Sequence, residues 1–121
     1  MRSPMTPDEL KRRTKRFALA IIRLVGSLPH HEAARVIAAQ VLRSGTSVGA
    51  NYRAACRARS RAEFSSRLGV AEEEADETLY WLELLEESGL VKGERIRGLM
   101  EEANELVAIF TASRKTATGK S

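Results

Sequence analysis

Ser44-Gly45-Thr46-Ser47-Val48-Gly49-Ala50-Asn51-Tyr52-Arg53 decides how this chain folds. The stretch sits inside a segment that otherwise reads as one long helix. Glycine costs about 1 kcal/mol against alanine in a helix interior, and Ser, Thr and Asn compete there for backbone hydrogen bonds. A helix that keeps so many of them together gains something by it: close approach of another helix, or a buried polar network. The fold reading therefore requires this helix to be continuous across its glycines.

Outward from that stretch, the second helix is expected over about 31–58. Ala34, Ile37, Val41, Ser44, Val48, Asn51 and Ala55 recur at alternating spacings of three and four, turning from apolar to small and polar at Ser44. Arg59-Ser60 breaks it, and Ser60-Arg61-Ala62-Glu63 is a capping box that opens the third helix. There, over 61–88, Phe64, Leu68, Ala71, Ala75, Thr78, Leu82 and Leu85 keep a seven-residue repeat, the period of left-handed supercoiled packing. Gly89 suits the residue after a helix end. Lys92-Gly93 is a tight connection to a fourth helix over 94–112, which carries Ile96, Leu99, Met100, Ala103, Leu106, Val107 and Phe110. The first helix, over 7–28, opens at Thr6-Pro7-Asp8-Glu9 with a capping hydroxyl, a proline at the first helical position and an acidic first turn. Its stripe is Leu10, Phe17, Ile21, Leu24 and Leu28, widened by Ala18, Ile22 and Val25. The expected architecture is all-α: an antiparallel up-down-up-down left-handed four-helix bundle over residues 1–113, followed by a disordered basic tail at 114–121.

Composition agrees. The 121 residues fit one domain, all three prolines precede residue 30, and Ala, Leu, Glu and Arg dominate. The single cysteine, Cys56, has no intramolecular partner, so nothing implies an oxidising compartment. Lys11–Arg16 followed by Phe17–Leu28 mimics a signal peptide. Arg23 interrupts the apolar run and Leu28-Pro29-His30-His31 is a poor cleavage site, so an amphipathic helix and a cytoplasmic location are expected, with no membrane partner.

The net charge of +4 hides two opposed halves. Residues 1–61 hold 13 Lys/Arg and 3 Asp/Glu, a net of +10; residues 62–113 hold 4 Lys/Arg and 13 Asp/Glu, a net of −9. The tail adds three positive charges.

No catalytic constellation is visible. Di-iron bundles need Glu-x-x-His pairs, whereas His30 and His31 are adjacent at a turn. Cys56 lies near a helix C-terminus, the wrong end for a thiolate. The run around Glu72-Glu73-Glu74, Asp76 and Glu77 lies on a regular helix rather than in a calcium loop. No cofactor, metal site or catalytic residue is expected.

The basic half carries the functional expectation. Arg12, Arg13, Lys15 and Arg16 on helix one, with Arg53, Arg57, Arg59 and Arg61 on helix two and its exit, are the candidate nucleic-acid-binding residues. Arg53, Arg57 and Arg61 are placed along one edge. Stacking platforms are absent, so binding would read backbone and shape. The opposing reading pairs these charges with acidic helix three, within or between subunits. Asn51 is expected to face inward, bonded to Ser47 one turn earlier or to a backbone group on helix one or three, as a structural residue. Trp81 lies just off the helix-three seam and either flanks the core or anchors a neighbouring subunit.

Leu42–Ala55, continuing through Arg57-Ala58-Arg59-Ser60-Arg61-Ala62-Glu63-Phe64 and Ala71-Glu72-Glu73-Glu74-Ala75-Asp76-Glu77-Thr78-Leu79-Tyr80-Trp81-Leu82, resembles the bacterial four-helix bundle proteins encoded by 23S rRNA intervening sequences. The pairing of Ser47 with Asn51 is its most specific part. Many members carry Glu three residues after that Asn, where this chain has Ala54. The resemblance implies a left-handed antiparallel bundle that assembles into a homopentameric ring, with Ser47, Asn51, Tyr52 and Trp81 structural or at the interface. A similar fold occurs in the accessory variability determinant of diversity-generating retroelements. That likeness implies RNA or DNA, and a nucleic-acid enzyme such as a reverse transcriptase, as partners of a basic surface. In a ring, basic helices of one subunit can meet acidic helix three of the next. The expected function is a non-enzymatic homo-oligomeric scaffold that binds structured RNA or DNA; the alternative is a protein–protein adaptor without nucleic-acid contact.

Overall fold

In a computed structural model that describes residues 5–118, four helices follow one another: α1 (Pro7–Gly26), α2 (Glu32–Cys56), α3 (Arg61–Glu87) and α4 (Glu94–Ala117). The described residues form no strand. The continuity required of the second helix holds, since α2 runs unbroken through Gly45 and Gly49.

Caps set the starts. The Glu9 backbone N–H donates to Thr6 Oγ1 at 3.1 Å, with Pro7 in the first turn where its missing N–H is harmless. At α3 the Glu63 N–H donates to Ser60 Oγ at 3.1 Å. The Glu63 carboxylate accepts from the Arg59 N–H at 3.0 Å, one residue earlier than a capping box would place it. His31 caps α2, its Nδ1 accepting from the Ala33 N–H at 3.2 Å. After α3 the chain turns at Gly89 with φ 81°, a conformation that a side chain would strain.

α2 packs against α1 and α3, α3 packs against α4, and α1 meets α4 less extensively. The seven-residue repeat of α3 lies in the core: Leu68, Ala71, Ala75, Thr78, Leu82 and Leu85 are buried and Phe64 is partly so. Ile96, Leu99, Ala103, Leu106 and Phe110 of α4 face them. α1 contributes Leu10, Phe17, Ile21 and Leu24, together with buried Thr14. Each large apolar side chain removed from water contributes about 1.5–3 kcal/mol.

The two flanks of the small-residue stretch pack differently. Toward α1 the backbone is bare. A Cβ added at Gly45 would lie 2.9 Å from Ile21 Cγ1, and one at Gly49 would lie 3.1 Å from Thr14 Oγ1. Toward α3 the contact is polar. Thr78 Oγ1 lies 2.8 Å from Ser44 Oγ, a buried contact, and 2.7 Å from the Glu74 carbonyl oxygen. Beside this pair the Arg43 guanidinium reaches Glu74 at 3.1 Å and also Glu77.

Three expectations change. The first two helices are shorter than expected, ending at Gly26 and Cys56. The fourth helix does not stop at 112. It continues to Ala117, so the beginning of the basic tail is helical; residues 119–121 lie outside the described part. Arg114 explains part of this, donating to Glu72 of α3 from both Nε and Nη2, and basic residues in a last turn suit the helix dipole. Finally, the inward position after Val48 belongs to Tyr52, which is buried, while Asn51 is half-buried. The two positions differ by one step of about 100° around the helix, and turning the larger ring inward hides more apolar area. No described helix is long and apolar enough to cross a membrane.

Candidate nucleic-acid interface

Lys11 and Lys15 lie one turn apart on α1. Arg53 lies in the last turn of α2, and Arg57 follows as its C-cap. The four cations line a groove of about 390 Å³ between the two helices, over a floor of Thr14, Ala18, Thr46, Gly49 and Ala50. Gly49 keeps this floor close to α1, because an added Cβ would press on Thr14 Oγ1 at 3.1 Å. The threonine hydroxyls donate into their own helix, Thr14 to the Lys11 carbonyl at 3.0 Å and Thr46 to the Leu42 carbonyl at 2.7 Å. Among the described residues no carboxylate lines the groove. The nearest acid pairing is Lys11 with Asp8 at 3.9 Å, an exposed contact that contributes little.

The acids of α3 that form ion pairs do so away from the groove. Glu72 is held by Arg114, and Glu74 and Glu77 by Arg43. The Trp81 indole N–H donates to Glu77 at 3.0 Å. That bond and the Arg43 guanidinium hold the Glu77 carboxyl below the usual carboxylate range, against an opposing push from burial.

The candidate residues therefore separate. Lys15, Arg53 and Arg57 share the groove, whereas Arg12 and Arg16 are exposed on α1 outside it. Arg13 turns to α4, donating from Nε and Nη2 to Glu102 at 2.7 Å each and from Nη2 to Glu105 at 3.1 Å. The bidentate Glu102 contact, the largest cause, raises its pKa further and commits it to the bundle. Arg59 and Arg61 are exposed at the α2–α3 connection. The expected Arg53–Arg57–Arg61 edge is not formed, because α2 ends at Cys56 and Arg61 begins α3. Among the described residues, pairing of the basic half with α3 rests on Arg43 alone. Lys11 is the residue the candidate set omits, and its signal was the four-residue spacing from Lys15.

The structural or interface candidates make the following contacts within one subunit. Ser47 Oγ donates to the Arg43 carbonyl at 2.7 Å, and Asn51 Nδ2 donates to the Ser47 carbonyl at 2.9 Å. Their link thus passes through the Ser47 backbone rather than its hydroxyl. Tyr52 packs on Phe110 with ring centroids 5.8 Å apart. Burial first, then the neighbouring Cys56 thiol, push its phenol above the ordinary range. Trp81 is half-buried against the core, with exposed Tyr80 at its edge. A second groove, of about 630 Å³, lies at the α1–α2 turn. Val25, Leu28, Ala34, Ala38 and Leu42 line it beside His30, His31 and Arg35. Among the described residues no three His, Cys, Asp or Glu side chains gather as a metal-ligand set.

A solved structure superposes on this fold with a TM-score of 0.83 and 36% identity, over 90% of this chain and 97% of the other. It is a protein with unknown function from the S23 ribosomal protein family of Bacteroides thetaiotaomicron. No curated protein compared with the chain matches it. The shared sequence pattern of 23S rRNA-intervening sequence proteins spans residues 9–112, reaching into all four helices, and the chain belongs to that family.

Proposed function

We propose that this protein is a non-enzymatic, homo-oligomeric scaffold in the cytoplasm that binds structured RNA or DNA through basic side chains of α1 and α2. The observation that carries the reading is the groove in which cations from two helices converge without a carboxylate. Clustered Lys and Arg attract phosphates by releasing condensed counterions, and such binding needs no base contacts. No aromatic side chain lines the groove, which favours recognition of backbone over bases.

The finer architecture belongs to the same proposal: an up-down-up-down antiparallel bundle of left-handed twist, assembled as a pentameric ring. Contacts support the antiparallel order. Ile21 meets Gly45 while Thr14, earlier on α1, meets Gly49, later on α2. The seven-residue repeat supports the left-handed twist. Exposed Leu19, Ile22, Val36 and Tyr80 support burial between copies. A reverse transcriptase or a similar nucleic-acid enzyme is the protein partner that fits a basic scaffold.

The second reading is a protein–protein adaptor, favoured by the apolar groove at the α1–α2 turn. Light scattering coupled to size exclusion is expected to give a mass several times that of one chain; a strict monomer ends the ring proposal. RNA binding is expected to weaken steeply with salt. Binding indifferent to salt, or none at low salt, replaces the scaffold with the adaptor.

A further inference from the structure

We infer that the α1–α2 groove is a cradle for consecutive phosphates of one unpaired nucleic-acid strand, with Lys11 and Lys15 on one wall and Arg53 and Arg57 on the other. The inference rests on the nucleic-acid reading and narrows it to a place and a strand. Each wall repeats its charge after four residues, a rise of about 6 Å along the helix. That interval is comparable to the spacing of successive phosphates along an extended strand. The two walls flank a floor of small residues, an arrangement that suits a slender ligand. A duplex offers its backbone from one side only and meets one wall at a time.

The floor supplies room rather than donors. Ala50 is small and exposed, so a phosphate can lie low between the flanking cations. Thr14 is buried and the Thr46 hydroxyl proton is donated to the Leu42 carbonyl, so the floor offers no hydroxyl donor and the cations of the two walls carry the contact. Four cations whose one acidic contact among the described residues is the exposed Lys11–Asp8 pair suit an anion repeated at a fixed interval, and without a stacking ring the base sequence goes unread.

The test uses the full chain and a labelled short oligouridine, followed by fluorescence anisotropy across a salt series. Replacing Lys15→Gln together with Arg53→Gln removes two groove cations from exposed positions. The expected loss is roughly 25-fold at about 0.1 M salt, and the log–log salt slope flattens by about 1.4, the counterion contribution of two single-strand contacts. Arg67→Gln with Arg97→Gln removes the same charge from α3 and α4 and is expected to change affinity less than about twofold, because exposed charges at a distance are screened. Ala50→Leu fills the floor with no change in charge and is expected to weaken binding several-fold. The same RNA annealed to its complement is expected to bind more weakly than the single strand.

Equal losses in the two double variants, full binding by Ala50→Leu, or equal affinity for duplex and single strand each overturn the cradle while leaving the scaffold reading intact. Wild-type protein that fails to bind RNA at low salt overturns both. Thermal melts of every variant separate lost binding from lost folding.

Discussion

The two flanks of α2 show two ways of holding one helix in place. Toward α1 it offers absence: Gly45 and Gly49 carry no side chain, and Ile21 and Thr14 occupy the space. Toward α3 it offers chemistry: a buried hydroxyl pair, Ser44 with Thr78, beside the Arg43 clamp. The first flank is specified by shape and rejects added atoms. The second is specified by pairing and rejects a partner left alone. One ten-residue stretch serves both because its period places glycine and serine on adjacent faces of one helix.

The shape flank should break hardest. Gly45→Leu forces atoms into Ile21, and overpacking of this kind is expected to lower stability by about 3 kcal/mol. For a domain of this size the melting temperature should fall by roughly 10 °C. Gly98 in α4 is the contrast, since nothing lies within 4 Å of an added Cβ. Gly98→Ala should raise stability by about 1 kcal/mol through helix propensity alone. If both variants melt alike, close approach to α1 is not what Gly45 provides.

The pairing flank should break next, and in a different pattern. Thr78→Val leaves the Ser44 hydroxyl buried, with only the Val41 carbonyl at 3.5 Å. An orphaned buried hydroxyl costs about 2 kcal/mol. Adding Ser44→Ala removes the orphan, so the double variant is expected to regain most of the loss. A double-mutant cycle from urea unfolding reads the coupling directly. Purely additive losses would show that the hydroxyls do not act as a pair.

The same contrast explains what the sequence made legible. The α3 repeat could be placed in the core because a seven-residue apolar period survives one misjudged residue. Thr14 fits the α1 spacing between Leu10 and Phe17, yet being polar it gave no sign that its methyl and hydroxyl would be sealed under Gly49. Asn51 and Tyr52 are neighbours on the wheel, and only the setting of α2 against its partners decides which turns inward. The site was legible as charge and not as a groove. Lys15, Arg53 and Arg57 were visible as cations, but their convergence depends on the rotation of α1 against α2. Arg13 looked equivalent to them until α4 came alongside with Glu102. The tail read as disordered because its composition is polar, and composition does not contain the Glu72 that holds Arg114.

A smaller effect tests the clamp beside the hydroxyl pair through pH. The Trp81 N–H and the Arg43 guanidinium hold the Glu77 pKa below its unfolded value. A depressed carboxylate stabilises fully above the unfolded pKa, about 4.3, and loses that contribution as pH falls through the folded value. The pair is partly exposed, so the contribution is expected to be under about 1 kcal/mol. Melting temperature should therefore drop on acidification below about pH 4.3, and drop less in Glu77→Gln. Parallel pH profiles for the two proteins would remove Glu77 from the linkage.

The smallest expected effect lies at the edge of the pairing flank. Asn51 makes one local bond, Nδ2 to the Ser47 carbonyl, at a half-buried position. Removing it costs about 1 kcal/mol at most, while alanine in a helix interior returns about 0.6 kcal/mol over asparagine. Asn51→Ala should therefore leave the subunit within about 0.5 kcal/mol of wild type. Melts at two protein concentrations give this prediction its force. A large loss that grows on dilution would place the Asn51 amide between copies of the chain, because an interface residue acts through association. A large loss independent of concentration would return it to the core. A small one leaves the shape flank and the Ser44–Thr78 pair as what fixes α2.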